Sequence, residues 1–155
     1  MALKPDRNHA EVTDIRQHWD ENQTTAEKGG MTSLVGQGSG VAMDADENAV
    51  NYAADPSGQV PMGLLLQDVN PPLSDTRDFK NHSNLEVRPG GKVTLVRQGI
   101  LVTDMVIGTP AAGDAAYLAA SGNVSPTQAT GAPLIGRFET SKDADDYARV
   151  SIQIP

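Results

Sequence analysis

The sequence predicts an all-β fold, a small β-barrel or β-sandwich, preceded by an N-terminal arm. Three observations carry this. Along the C-terminal two thirds, apolar and polar residues alternate in short runs, the period of a half-buried strand. Gly 15 and Pro 10 supply 25 of the 155 residues, and so many turn residues favour short strands over long helices. From Met31 onward no stretch sustains a helical apolar period.

Residues 1–30 differ from the rest. Ten of the first 28 are charged and the apolar residues are isolated. Val12, Ile15 and Trp19 stand at i, i+3 and i+7, so this arm is read as extended, irregular or partly a short amphipathic helix. Two or three turns are marginal alone and need a partner surface. Either the segment is a solvated leader, or it is an arm that orders on a neighbouring subunit. The Trp favours the arm, because an indole is costly to leave in water. The arm is expected to end at Gly29-Gly30, with a β-rich domain over 31–155.

Within that domain, VPMGLLLQDV and PLIGRFET read as strands, each with a Gly after its first apolar residues. An interior Gly suggests a bulge or close backbone approach, as at a barrel corner. Val93 to Val106 reads as two strands, VTLV and ILVTDMV, around a turn at Arg97-Gln98-Gly99. AAYLAASGNVSP folds back at Ser121-Gly122-Asn123. The clearest strand is the last, Tyr147 to Ile154, with Ala148, Val150, Ile152 and Ile154 pointing inward and Tyr147, Arg149, Ser151 and Gln153 outward. Only six aromatics are present, so the core is expected to be largely aliphatic.

Charge narrows the function. Twelve Lys and Arg against twenty Asp and Glu leave a net charge of −8, which argues against a protein built to grip nucleic acid. With no Cys, disulfides, thiolate metal sites and a cysteine nucleophile are excluded. No apolar run approaches the roughly 20 residues of a membrane span, and the N-terminus lacks a signal-peptide core. The expectation is a soluble protein made in a cytoplasm, without membrane contact. Charge is also uneven. Asp44, Asp46, Glu47 and Asp55 are purely acidic, as are Asp143, Asp145 and Asp146. Arg77, Lys80, Arg88, Lys92 and Arg97 face only Asp78 and Glu86. Blocks of opposite sign suit contacts between protein subunits, although each residue taken singly also fits a solvated loop.

The search for catalytic chemistry ends without a constellation. His9 and His18 lie in the arm and His82 in a polar loop, and no G-x-S-x-G elbow accompanies them. Three scattered His make no zinc site. Asp44, Asp46, Asn48 and Asp55 follow part of an EF-hand spacing. However, Ala49 stands where the sharp turn needs Gly, and Asp55 is too short for the usual bidentate Glu. GQGSG lacks the third Gly of a dinucleotide fingerprint, and PGGKV lacks the hydroxyl that follows the P-loop Lys. No enzyme and no cofactor are expected.

In order along residues 60–155, PMGLLLQDV, RPGGKVTL, AGDAAYL and GRFETSKDAD resemble the head decoration (capsid cement) proteins of tailed bacteriophages. The resemblance implies a β-rich virion protein on the outer capsid surface. It would stabilise the shell by bridging neighbouring subunits of the major capsid protein, and would itself be a homo-oligomer, with a trimer favoured. It brings no catalytic residues. In such systems an N-terminal arm often crosses the capsid surface. The residues expected at capsid or subunit contacts are therefore Val12, Ile15 and Trp19 of the arm and Arg77, Lys80 and Arg88 of the basic stretch. The alternative is a carbohydrate- or host-surface-binding β module, which would need exposed aromatics for stacking.

Overall fold

The computed structural model describes residues 9–20, 27–34, 49–51, 55–69, 86–87 and 92–155. Eleven strands run through them: β1 (His9–Asp20), β2 (Met31–Leu34), β3 (Ala49–Asn51), β4 (Pro61–Leu65), β5 (Asp68–Val69), β6 (Glu86–Val87), β7 (Lys92–Thr103), β8 (Ala115–Leu118), β9 (Val124–Ser125), β10 (Leu134–Phe138) and β11 (Ala148–Gln153). The helical content among the described residues is a single 3-10 turn at Ala120–Gly122.

Nine of the strands form one sheet, in the order β1-β3-β2-β4-β7-β11-β10-β8-β9, and β1 also pairs with β7. That extra pairing joins β1, β3, β2, β4 and β7 into a ring, so the sheet is nearly closed and barrel-like. Closing a sheet removes the open edges that would otherwise invite aggregation. The long central strand β7 makes this possible. It pairs with β1 along its whole length, from His9↔Val102 to Trp19↔Lys92. It also pairs with β4 through Leu64↔Val96 and Leu65↔Leu95, and with β11 from Ala148↔Thr103 to Gln153↔Gln98.

Two apolar clusters flank the sheet. The larger includes Leu64, Val96, Leu101, Leu118, Ile135, Phe138, Val150 and Ile152. The smaller holds Leu65, Val69, Val93 and Leu95, with Met62 and Val87 packed against it. Adjacent residues of β4 and β7 enter different clusters because strand side chains alternate between faces. The last strand follows its expected register, with Ala148, Val150 and Ile152 buried between half-buried Arg149 and Ser151. Tyr147, expected to point outward, is instead buried, because it lies before β11 in the turn rather than in the alternating strand.

Both interior glycines act as their positions suggest. A Cβ at Gly63 would fall 2.8 Å from Leu95 Cβ and from Val96 O. Just beyond its partner Thr32, the β2–β4 ladder shifts register. A Cβ at Gly136 would collide with Ser151 O, and the β8–β10 ladder shifts between Leu134 and Gly136. The fold-back after β8 is likewise present. Ser121 and Gly122 take positive φ, and Leu118 pairs with Val124 across the turn.

A further expectation gives way. Residues 93–103 form one strand rather than two around a turn at Arg97-Gln98-Gly99. Gly99 takes a φ of 151°, and the partner strand β1 slips register twice opposite this point. Val96 faces the larger cluster before the irregularity, whereas Leu101 faces it afterwards. The alternation thus changes phase without the chain reversing, and a bulge and a turn leave the same mark in sequence. Residues 9–20, read from sequence as extended, irregular or partly helical, take the extended form. Val12, Thr13, Ile15 and Trp19 favour strands, and β7 offers a full ladder of backbone partners where a lone three-turn helix has none. Instead of leaving the domain, this segment lies along β7 of the same chain.

Candidate functional site

The outer face of the sheet is built from residues that face each other across successive strands. One row runs Glu11, Ile100, Ser151, Arg137 and Ala115, across β1, β7, β11, β10 and β8. Its side chains are exposed or half-buried. The neighbouring row through Leu101, Val150 and Phe138 is buried. The outer face is therefore a mixed polar and aliphatic surface laid over the larger cluster.

Ion pairs tie β1 to this face. Arg97 Nη1 lies 3.7 Å from Asp14 Oδ2, and Arg149 Nη2 lies 3.7 Å from Glu11 Oε1. Arg149 Nε also lies 3.0 Å from Glu139 Oε2, as an ionic contact rather than an aligned hydrogen bond. Such half-exposed pairs contribute roughly 0–1 kcal/mol each and weaken with salt. The backbone ladder does most of the holding.

The chain leaves β1 and re-enters the domain at a firmly bound point. Gly29 N–H donates to Leu65 O and Leu65 N–H to Gly30 O, both at 2.8 Å. Thr103 Oγ1 donates to Gly29 O at 2.7 Å and accepts from Met105 N–H at 3.1 Å. Both glycines are buried.

Of the residues expected to make contacts, Val12, Ile15 and Trp19 all fall on β1, opposite Gly99, Val96 and Lys92 of β7. Ile15 is 55% exposed. Arg77, Lys80 and Arg88 lie outside the described residues, as do His82 and the acidic Asp44, Asp46 and Asn48. Asp55 Oδ1 accepts Ser57 N–H at 2.9 Å. Asp143 Oδ1 accepts the N–H groups of Asp145 and Tyr147 at 2.9 and 3.0 Å, so this acidic cluster shapes the turn into β11. Among the described residues, no group of three or more His, Asp or Glu is placed to hold a metal ion, and no helix is long and apolar enough to cross a membrane. The described aromatics include buried Phe138 and Tyr147 and half-buried Tyr117, none of them an open stacking platform. Sequence reasoning missed the pairings of Glu11, Asp14 and Glu139. Their signal was weak, because a lone charge in a strand does not name its partner.

Comparison with known proteins places the chain in a family. No curated protein matches the chain significantly. A solved structure, the head fiber gp8.5 N base of bacteriophage phi29, matches with a TM-score of 0.56 at 10% identity. The match covers 90% of this chain and 95% of that one, and at such low identity it speaks for the fold alone. The family model described as "Structural cement protein (E217 gp24/Pam3 gp6)" matches residues 8–153, nearly the whole chain. The protein therefore belongs to the phage structural cement protein family, a structural rather than an enzymatic class, and its place is on the phage capsid, which it stabilises.

Proposed function

We propose that the protein binds the outer surface of the assembled capsid and bridges neighbouring subunits of the major capsid protein, acting as a homo-oligomer, with a trimer favoured. The observation that carries this is the match to the structural cement family over residues 8–153. Its mechanism is linkage. A protein that binds only the assembled shell stabilises it by about 2.7 kcal/mol per site at a hundredfold excess over Kd, and many such sites act together. The acidic balance, −8, fits an outer surface away from packaged DNA.

Residues 1–30 serve in this reading as an arm whose β1 segment lies along β7 of the 31–155 domain. Val12, Ile15 and Trp19 contribute to the capsid contact from β1, and Arg77, Lys80 and Arg88 supply a basic stretch for acidic partner residues. Exposed Ile15 supports the first part, because an aliphatic side chain left in water is suited to cover by a partner.

Cross-linking on decorated shells tests the bridge. One copy should yield peptides joined to two different major capsid subunits, and Ile15→Asp should weaken capsid binding about tenfold with circular dichroism unchanged. Cross-links to a single capsid subunit only would defeat bridging. Undiminished binding by Ile15→Asp would remove the arm from the contact.

A further inference from the structure

Three loops meet at one end of the described structure. Gly58 N–H donates to Gly131 O at 3.0 Å, and a Cβ at Gly131 would fall 2.7 Å from Ser57 Oγ. These contacts join the loop before β4 to the loop before β10. Pro126 Cδ lies 3.5 Å from where a Cβ of Gly108 would sit, and Ile107 N–H donates to Val124 O at 2.9 Å. These join the loop after β7 to the one after β9. The two junctions are themselves linked, since Leu134 pairs with Tyr117 and Tyr117 with Ser125.

Two properties set this end apart. Among the described residues, the exposed large hydrophobics are Ile15, Val60, Ile107 and Leu134. All but Ile15 stand on these loops or at their strand junctions, 41%, 47% and 61% exposed for Val60, Ile107 and Leu134. The same stretches are also free of charge. Bordered by Asp55, Asp104 and Asp114, residues 56–67, 105–113 and 115–136 contain no Asp, Glu, Lys, Arg or His, in a chain where 21% of residues are charged. Exposed aliphatics with depleted charge mark the centre of a permanent protein interface.

We infer that this loop end is the contact between copies of this chain. The occupant follows from charge. Copies of a protein carrying −8 repel one another, and juxtaposed like charges disfavour association. An uncharged apolar surface lets identical chains meet without placing carboxylate against carboxylate. A basic partner would instead be met best by a surface rich in carboxylates, and this end carries them only at its borders, at Asp55 and Asp104. The inference rests on the proposed homo-oligomer and assigns it a surface.

Sedimentation velocity on the full chain tests it, with Ile107→Glu, Leu134→Glu and the double variant. Ser141→Glu, at an exposed position outside these loops, serves as the control. The wild type and Ser141→Glu should sediment as the same oligomer. Each single variant should weaken self-association about tenfold or more, because a carboxylate is then buried without a partner, and the double variant should be monomeric. Both substituted positions are exposed, so circular dichroism should remain unchanged. If the double variant keeps the oligomer, the surface is wrong while the homo-oligomer stands. If the wild type is monomeric at the highest attainable concentration, both fail. If the variants self-associate normally but no longer bind capsids, the loop end faces the capsid and the inference is overturned.

Discussion

Strands β8 to β11 and strand β1 belong to one sheet but are held to it by different forces. The C-terminal strands share a continuous buried core, with Leu118, Ile135, Phe138, Val150 and Ile152 each almost fully removed from water. Strand β1 has a long backbone ladder on β7, ion pairs at Asp14 and Glu11 and an outward Ile15. Burial is worth roughly 1.5–3 kcal/mol per large aliphatic side chain, against at most about 1 kcal/mol for an exposed ion pair. The molecule thus combines strands stabilised by packing with a strand that leaves Glu11, Asp14 and Ile15 exposed.

The contrast can be broken most severely at its packed side. Phe138→Ala removes a fully buried ring and should cost about 3–5 kcal/mol, a large share of the stability of a domain this size. Urea unfolding followed by circular dichroism would read it. A loss below about 1 kcal/mol would mean that packing of the C-terminal strands is not what chiefly holds the domain together.

Thr103→Val probes the join between the two regions. The substitution keeps the shape but removes the hydroxyl shared by Gly29 O and Met105 N–H. The expected loss is about 1–3 kcal/mol, the range for leaving a buried polar group unpaired. Amide hydrogen exchange should quicken first around Gly29-Gly30 and β1, before β10 and β11. Uniform acceleration would show that the two regions open as one unit.

The smallest effect belongs to the ion pairs. Arg149→Gln should cost under about 1 kcal/mol at low salt. The difference from wild type should fade at molar salt, where the screening length is about 3 Å. A cost that persists at high salt would point to packing of the Arg149 stem rather than its charge.

How much of this was legible in sequence follows the same division. Strand β11 could be read in full because one of its faces is buried and the other is not, so the register is written in alternating residues. Gly63 and Gly136 announced themselves as strand irregularities because a side chain at either would strike the neighbouring strand. The phase change near Gly99 imitated a turn, since local composition does not distinguish a bent strand from a reversed one. Strand β1 was the hardest to read. Its conformation is set by the edge that β7 offers, a tertiary fact, while its own pattern of Val12, Ile15 and Trp19 satisfies a helical spacing equally well. The contact role assigned to those three residues rested on their being too few to form a core and on a shared helical face, and the strand does not supply that face by its spacing. The charge-free stretches were also present in the sequence, but only the contacts at Gly58–Gly131 and Gly108–Pro126 bring them together.

The central claim, that this chain stabilises an assembled phage shell, is tested most directly by the heat resistance of that shell. Cement-free capsids of the cognate phage are heated with and without the full-length protein, and DNA release is followed by dye fluorescence. The release temperature should rise with added protein and level off once the binding sites are filled, while unassembled major capsid protein gains nothing. Binding without any rise in release temperature, or an equal stabilisation of unassembled subunits, would contradict the account.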